Sequence, residues 1–351
     1  MTPELLFRSD HELRAFIESL RTAQIGKWIE HRQRTRSTND LALQAAREGA
    51  PHGQLFSAEV QDAGRGRRGR KWECPAGLGL LFSVIVRPEA LLPPTPPSPQ
   101  RGEGGALAPG EGVTPDLSLP LTPRSLRSRR PSPHGGEGAD ATATGWIPLV
   151  TGLACAEAIG AVCGLKLAAK WPNDVVLPCA AAPGWKKLGG ILCESAIAAE
   201  GAGTRSRFPN GRKSGHVPGY VVIGIGLNLN HGPTDLPAQA RTPPTSILLE
   251  TGKPCDRKEV FRTALERLEQ HLLELYNPAA SPSLKQRLES QLRHWWSAHR
   301  TITVQSPANG RLENDTVRGR FLGLDEQGRL AVQDEHGRRR AFADAEVWSI
   351  L

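Results

Sequence analysis

Apolar and polar positions change rhythm several times along the chain. Ile25 to Arg34 reads as a strand and runs into Ser37-Thr38-Asn39-Asp40, whose side chains can cap the helix predicted by Leu41, Leu43, Ala45 and Ala46. Gly49 ends that helix. Gln54 to Val60 predicts a strand, and the unbroken apolar run Leu78 to Val86 predicts a buried one. Leu149 to Cys163 reads as a small-residue helix stopped by Gly164. Leu167 to Lys170, Asp174 to Leu177, Lys187 to Ser195 and Tyr220 to Leu227 predict strands of an antiparallel meander. Asp256 followed by Glu259 is a capping box, opening a helix with Val260, Phe261, Ala264, Leu265, Leu268 and Leu272 on one face. Further helices are expected over Asp10 to Leu20 and Ser283 to Ala298. From Thr301 the pattern shortens to strands punctuated by Asn309-Gly310, Gln327-Gly328 and His336-Gly337, which suggests a small closed barrel. A domain boundary is placed near Arg300, dividing the chain into 1–300 and 301–351.

Composition isolates one segment. Residues 88–145 hold 12 of the 29 prolines and nine glycines, with no aromatic residue, isoleucine or cysteine, so a disordered Pro/Gly-rich insert is expected. The near repeat SPQRGEG and SPHGGEG within it looks like low-complexity expansion. Closing a loop of this length instead of a six-residue one costs only roughly 2 kcal/mol, so a folded core can carry it. A smaller polar insert runs over 200–218.

The chain has 351 residues and a formal charge of +8, enough for two domains and suggestive of an anionic ligand. No apolar run approaches the roughly 20 residues of a membrane-spanning helix. Glu4 and Asp10 sit where a signal peptide needs a basic start and an apolar stretch. The six cysteines include no C-x-x-C pair, which fits a reducing cytoplasm.

Gly64-Arg65-Gly66-Arg67-Arg68-Gly69-Arg70-Lys71-Trp72 concentrates five cationic side chains between two buried strands. A basic run alone is usually a solvated face or a nucleic-acid tail. Between buried elements, glycines let the backbone approach an anion and arginines offer bidentate donors to carboxylate and phosphate. Lys170-Trp171-Pro172-Asn173-Asp174, Lys187-Leu188-Gly189-Gly190-Ile191-Leu192 and Gly224-Ile225-Gly226-Leu227-Asn228 are, taken singly, a turn, a bulged strand and a weak glycine pattern.

In this order, and with Ser37-Thr38-Asn39, these segments resemble the biotin protein ligases, which attach biotin to the carrier subunit of acetyl-CoA carboxylase. The resemblance covers roughly Ile25 to Leu351 outside the inserts. It implies an α+β fold: a class II aminoacyl-tRNA-synthetase-like catalytic domain with a mixed or antiparallel sheet, followed by an SH3-like β-barrel. It implies ATP and Mg²⁺ as cofactors, and biotin and the biotin carboxyl carrier protein as partners. Biotin contacts carry over to Ser37, Thr38, Asn39, Gln61, Arg65, Gly66, Arg67, Lys187 and Gly190, and ATP contacts to Arg67, Arg70, Trp72, Asn173, Lys187 and Asn228. Lys187, Arg67 and Asp174 are the expected catalytic residues, and no metal ligand is assigned. Only 36 residues precede Ser37, which predicts a ligase without a DNA-binding domain. The competing readings are a lipoate or octanoate enzyme on the same fold and a non-catalytic nucleic-acid binder.

Overall fold

A computed structural model describes residues 5–92, 144–180, 184–196, 219–238, 240, 242–277, 279–295, 301–307, 314–343 and 345–349. Most of the expected insert, the 200–218 stretch and the Asn309-Gly310 turn lie outside the described residues. The insert begins later than composition suggests: Pro88–Leu91 forms a 3₁₀ turn with Leu91 buried.

Seven strands form one mixed sheet: β1 (Ile29–Thr35), β2 (Leu55–Gln61), β3 (Gly79–Val86), β4 (Ala168–Lys170), β5 (Asp174–Pro178), β6 (Trp185–Ala196) and β7 (Tyr220–Asn228). Their order is β1-β2-β3-β7-β6-β5-β4, with β1 and β2 parallel and the remaining pairs antiparallel. The predicted meander is therefore β4 to β7. Every residue of β3 and β7 is buried, because these central strands are covered on both faces. One cover is α1 (Asp10–Ser19) and a helical layer; the other is α2 (Thr38–Arg47), whose Ala42 and Ala46 pack with Phe56, Ile85, Tyr220 and Val222.

The opposite layer holds α3 (Ile147–Cys163), α4 (Ile247–Thr251), α5 (Arg257–Tyr276) and α6 (Ser281–Trp295). Gly164 ends α3 with φ 73°, the left-handed cap that its sequence position predicts. Asp256 caps α5 by accepting from the Lys258 and Glu259 N–H groups, while the Glu259 carboxylate pairs with Arg262. Ile25 is not in a strand. The N–H groups of Ala23, Gln24 and Ile25 donate to the Glu269 carboxylate of α5, so the chain turns there and β1 starts at Ile29.

After α6 the chain forms a five-stranded antiparallel sheet from β8 (Thr301–Pro307), β9 (Asn314–Leu324), β10 (Leu330–Asp334), β11 (Arg339–Phe342) and β12 (Glu346–Ser349), in the order β11-β10-β9-β8-β12. Its β9–β10 turn docks on the larger sheet: buried Trp146 donates to the Glu326 carbonyl at 2.9 Å and buried Trp171 to the Gly328 carbonyl at 3.1 Å.

Candidate functional site

A cavity of about 750 Å³ opens over the large sheet. All fourteen residues singled out in the sequence line it: Ser37, Thr38, Asn39, Gln61, Arg65, Gly66, Arg67, Arg70, Trp72, Asn173, Asp174, Lys187, Gly190 and Asn228. They come from α2, the β2–β3 connection, the β4–β5 turn, β6 and β7, and only the sheet order brings them together.

One end of the cavity has a neutral polar floor. Ser37 occupies the N-cap position of α2 but makes no side-chain cap bond, contrary to the expectation that it caps the helix. The Thr38 N–H and hydroxyl instead donate to Gln61 Oε1 at 2.7 and 3.0 Å, which turns the Gln61 amide nitrogen the other way. Ser83, in β3, lies 2.8 Å from Thr38 Oγ1 and donates to Asn39 Oδ1 at 2.6 Å. Asn39 Nδ2 donates to Glu194 at 2.7 Å. Buried Thr38, Asn39 and Ser83 thus form one hydrogen-bonded set.

The Gly/Arg segment is a small hairpin. Gly66 N donates to Arg70 O at 2.7 Å and Trp72 N to Gly64 O at 2.9 Å, and Arg65 pairs with Lys71. A Cβ at Gly64 would stand 2.2 Å from the Trp72 carbonyl, so the hairpin neck admits only glycine. Trp72 folds its indole onto β7, where a Cβ at Gly226 would lie 2.6 Å from the ring. Arg65 is bound to Asp40 at 2.6 Å and Glu194 at 3.1 Å, which raises its pKa against the opposing cost of burial.

The other end is charged. Lys187 Nζ lies 2.5 Å from Asp174 Oδ1. Burial alone would raise the Asp174 pKa, but Lys187 and Lys170 outweigh it and hold the carboxyl below its ordinary value. Lys170 is buried with its ammonium 4.9 Å above the Trp185 ring, and burial lowers its pKa. Arg67 donates to Asn173 Oδ1 at 3.1 Å, while Asn173 Nδ2 donates to Ile191 O at 2.6 Å, which fixes that amide. Lys187 and Gly190 reach the same cavity although three positions apart, because the β5–β6 register slips around Leu188. The Lys187 backbone is clamped by the Pro243 carbonyl at 2.7 Å and the Thr245 N–H at 2.8 Å.

Such a site suits a ligand with a small polar ring at one end and an anion at the other. Residues 32–98 match the biotin/lipoate A/B protein ligase family, and residues 307–347 match the biotin protein ligase C-terminal domain. The biotin--[acetyl-CoA-carboxylase] ligase of Paracoccus denitrificans is 29% identical over 90% of this chain and 98% of its own length. In both matched regions the chain is similar to the biotin protein ligases. The bifunctional ligase/repressor BirA of Bacillus spizizenii is 25% identical over 93% of this chain and 76% of its own length. The Aquifex aeolicus biotin protein ligase in complex with biotin and ATP shares the fold, with 21% identity and a TM-score of 0.58, covering 92% of this chain and all of the other.

Several residues that line the cavity or support its lining escaped the sequence reading. Ser83 carried a signal, as the lone polar residue of an apolar strand; Lys170 lay inside a motif but received no role. Leu236, Pro237 and Pro244, with Ala345 and Val347 of the C-terminal sheet, had none. No group of three or more His, Cys, Asp or Glu among the described residues is placed to hold a metal ion. Asp174 is committed to lysines, so the site residues do not fit a resident metal.

Proposed function

We propose that the protein activates biotin with ATP as biotinyl-5′-AMP and transfers it to a lysine of a biotin carboxyl carrier protein. The observation that carries this is the polarity of this cavity. A cyclic urea needs a donor for its oxygen and acceptors for its N–H groups, which Gln61 Nε2 and the Asn39–Ser83–Thr38 set supply. The Lys170–Asp174–Lys187 cluster and Arg67 lie at the other end, where a carboxylate would attack the α-phosphorus of ATP.

In the first step a biotin carboxylate oxygen bonds to the α-phosphorus and the bond to pyrophosphate breaks. Lys187 leaves Asp174 for the incoming anions, and Arg67 covers them. Mg²⁺ enters as part of the nucleotide substrate. In the second step the neutral carrier amine attacks the acyl carbonyl, the acyl–phosphate bond breaks, AMP departs and the amine proton passes to solvent or to the departing phosphate. Asp174 then accepts a hydrogen bond from that amine; its depressed pKa suits it to steering and orienting more than to storing a proton. The hairpin and Trp72 exclude water from the mixed anhydride.

The same reading assigns residues 1–300 to a class II synthetase-like catalytic domain and 301–351 to an SH3-like barrel. Its test is biotin-dependent exchange of pyrophosphate into ATP, with lipoate and octanoate as controls. Exchange with octanoate but not biotin would overturn the substrate assignment.

A further inference from the structure

Glu194, near the end of β6, joins the two halves of the cavity's polar end. Its Oε2 accepts from Asn39 Nδ2 at 2.7 Å, and its two oxygens accept from Arg65 Nη2 at 3.3 and 3.1 Å. Arg65 Nη1 donates to Asp40 Oδ1 at 2.6 Å. One guanidinium therefore faces two carboxylates and is occupied at the root of the Gly64 to Trp72 hairpin.

The Asn39 amide depends on the same carboxylate. Its Oδ1 accepts from Ser83, and its Nδ2 reaches Leu192 O only at 3.3 Å, so Glu194 is the strong acceptor that tells nitrogen from oxygen. The amide also lies against the strand: a Cβ at Gly224 would sit 2.0 Å from Asn39 Oδ1. With its nitrogen turned to Glu194, the remaining lone pair of Oδ1 is what Asn39 offers a ligand N–H.

We propose that Glu194 is a positioning residue that orients the Asn39 amide for the ligand and, through Arg65, latches the hairpin. The first half rests on the reading that this end of the cavity takes the biotin ring; the second does not. Arg65 and Glu194 are 38% and 33% exposed, so the latch is weak enough to open.

The experiment compares Glu194→Ala, Glu194→Gln and Asp40→Asn with the wild type by thermal unfolding, pyrophosphate exchange and trypsin digestion of ligand-free protein. E194A is expected to raise the biotin KM about tenfold, the loss of one charge-assisted hydrogen bond, with ATP KM and kcat within about threefold of wild type. E194Q keeps an acceptor for Asn39 and should hold the biotin KM within about threefold of wild type. D40N should leave the biotin KM unchanged. All three should speed tryptic cleavage within Arg65 to Lys71 roughly two- to fivefold, as for loss of an exposed ion pair.

An unchanged biotin KM in folded E194A, an equal rise in both KM values, or E194Q as impaired as E194A would overturn the orienting role. D40N raising the biotin KM as far as E194A would also overturn it, because the effect would then run through Arg65. Unchanged cleavage in all three variants would overturn the latch. Glu194→Ser replaces E194A should that protein not fold. Wild-type protein without biotin-dependent exchange would instead refute the proposed function, leaving the trypsin arm to decide the latch.

Discussion

Replacing Lys187 by alanine removes one ammonium from a cluster in which two lysines share one carboxylate. Its Nζ is 2.5 Å from Asp174 Oδ1, with the two side chains 26% and 13% exposed. At an effective dielectric near 20, unit charges about 4 Å apart interact by roughly 4 kcal/mol. In the empty protein that attraction is directed at Asp174; in the proposed mechanism it is redirected to the carboxylate and α-phosphate as they close. Loss of one preorganised donor of this kind costs roughly 2.7–4 kcal/mol, or 10²- to 10³-fold in rate. Because Lys170 remains to neutralise Asp174, the fold should survive. The assay is biotin-dependent pyrophosphate exchange, run beside single-turnover transfer from added biotinyl-5′-AMP to a carrier domain. Exchange should fall by about 10² or more, while transfer falls far less, since the acyl-phosphate bond is already made. Exchange within about threefold of wild type would remove Lys187 from the chemistry, and an equal loss in both assays would show that it serves general binding or folding.

Arg67→Gly should weaken retention of the adenylate more than its formation, so that biotin labelling of a bystander protein rises while exchange persists. Trp171→Phe should leave the Gly328 carbonyl without its donor and cost about 1–3 kcal/mol, seen as a Tm several degrees lower in calorimetry. Burial pushes the His52 and His231 pKa values down to about 4, so the unfolded chain binds protons that the folded one refuses. Stability is therefore full above the ordinary histidine pKa near 6.5 and should decline as pH falls from there toward 4, by at most about 3 kcal/mol per histidine, measured by urea unfolding.

Much of the site was readable before any fold was known, because its parts are local. A glycine-arginine loop over Gly64 to Trp72, a lysine in an apolar strand at Lys187 and a Trp-Pro-Asn-Asp turn are each written in consecutive residues, although the hairpin form of that loop and the start of β6 at Trp185 came from the structure. The central strands were equally plain, since a strand covered on both faces must be apolar throughout, as β3 and β7 are. What the chain alone determined was thus the set of elements and the short motifs they carry. Partnerships between distant residues were decided only by the tertiary structure. Glu194 reads as an ordinary charged strand end until β6 places it beside Asn39, 155 positions away in sequence, and Arg65 reads as a free cation until Asp40 and Glu194 claim it. The bulge at Leu188 decides which face Lys187 joins, and the β9–β10 turn decides what Trp171 rests on. Local periodicity records how each segment meets its own neighbours, whereas hydrogen-bond partners and ion pairs depend on strand order and register, which are settled only when the whole sheet closes over its core.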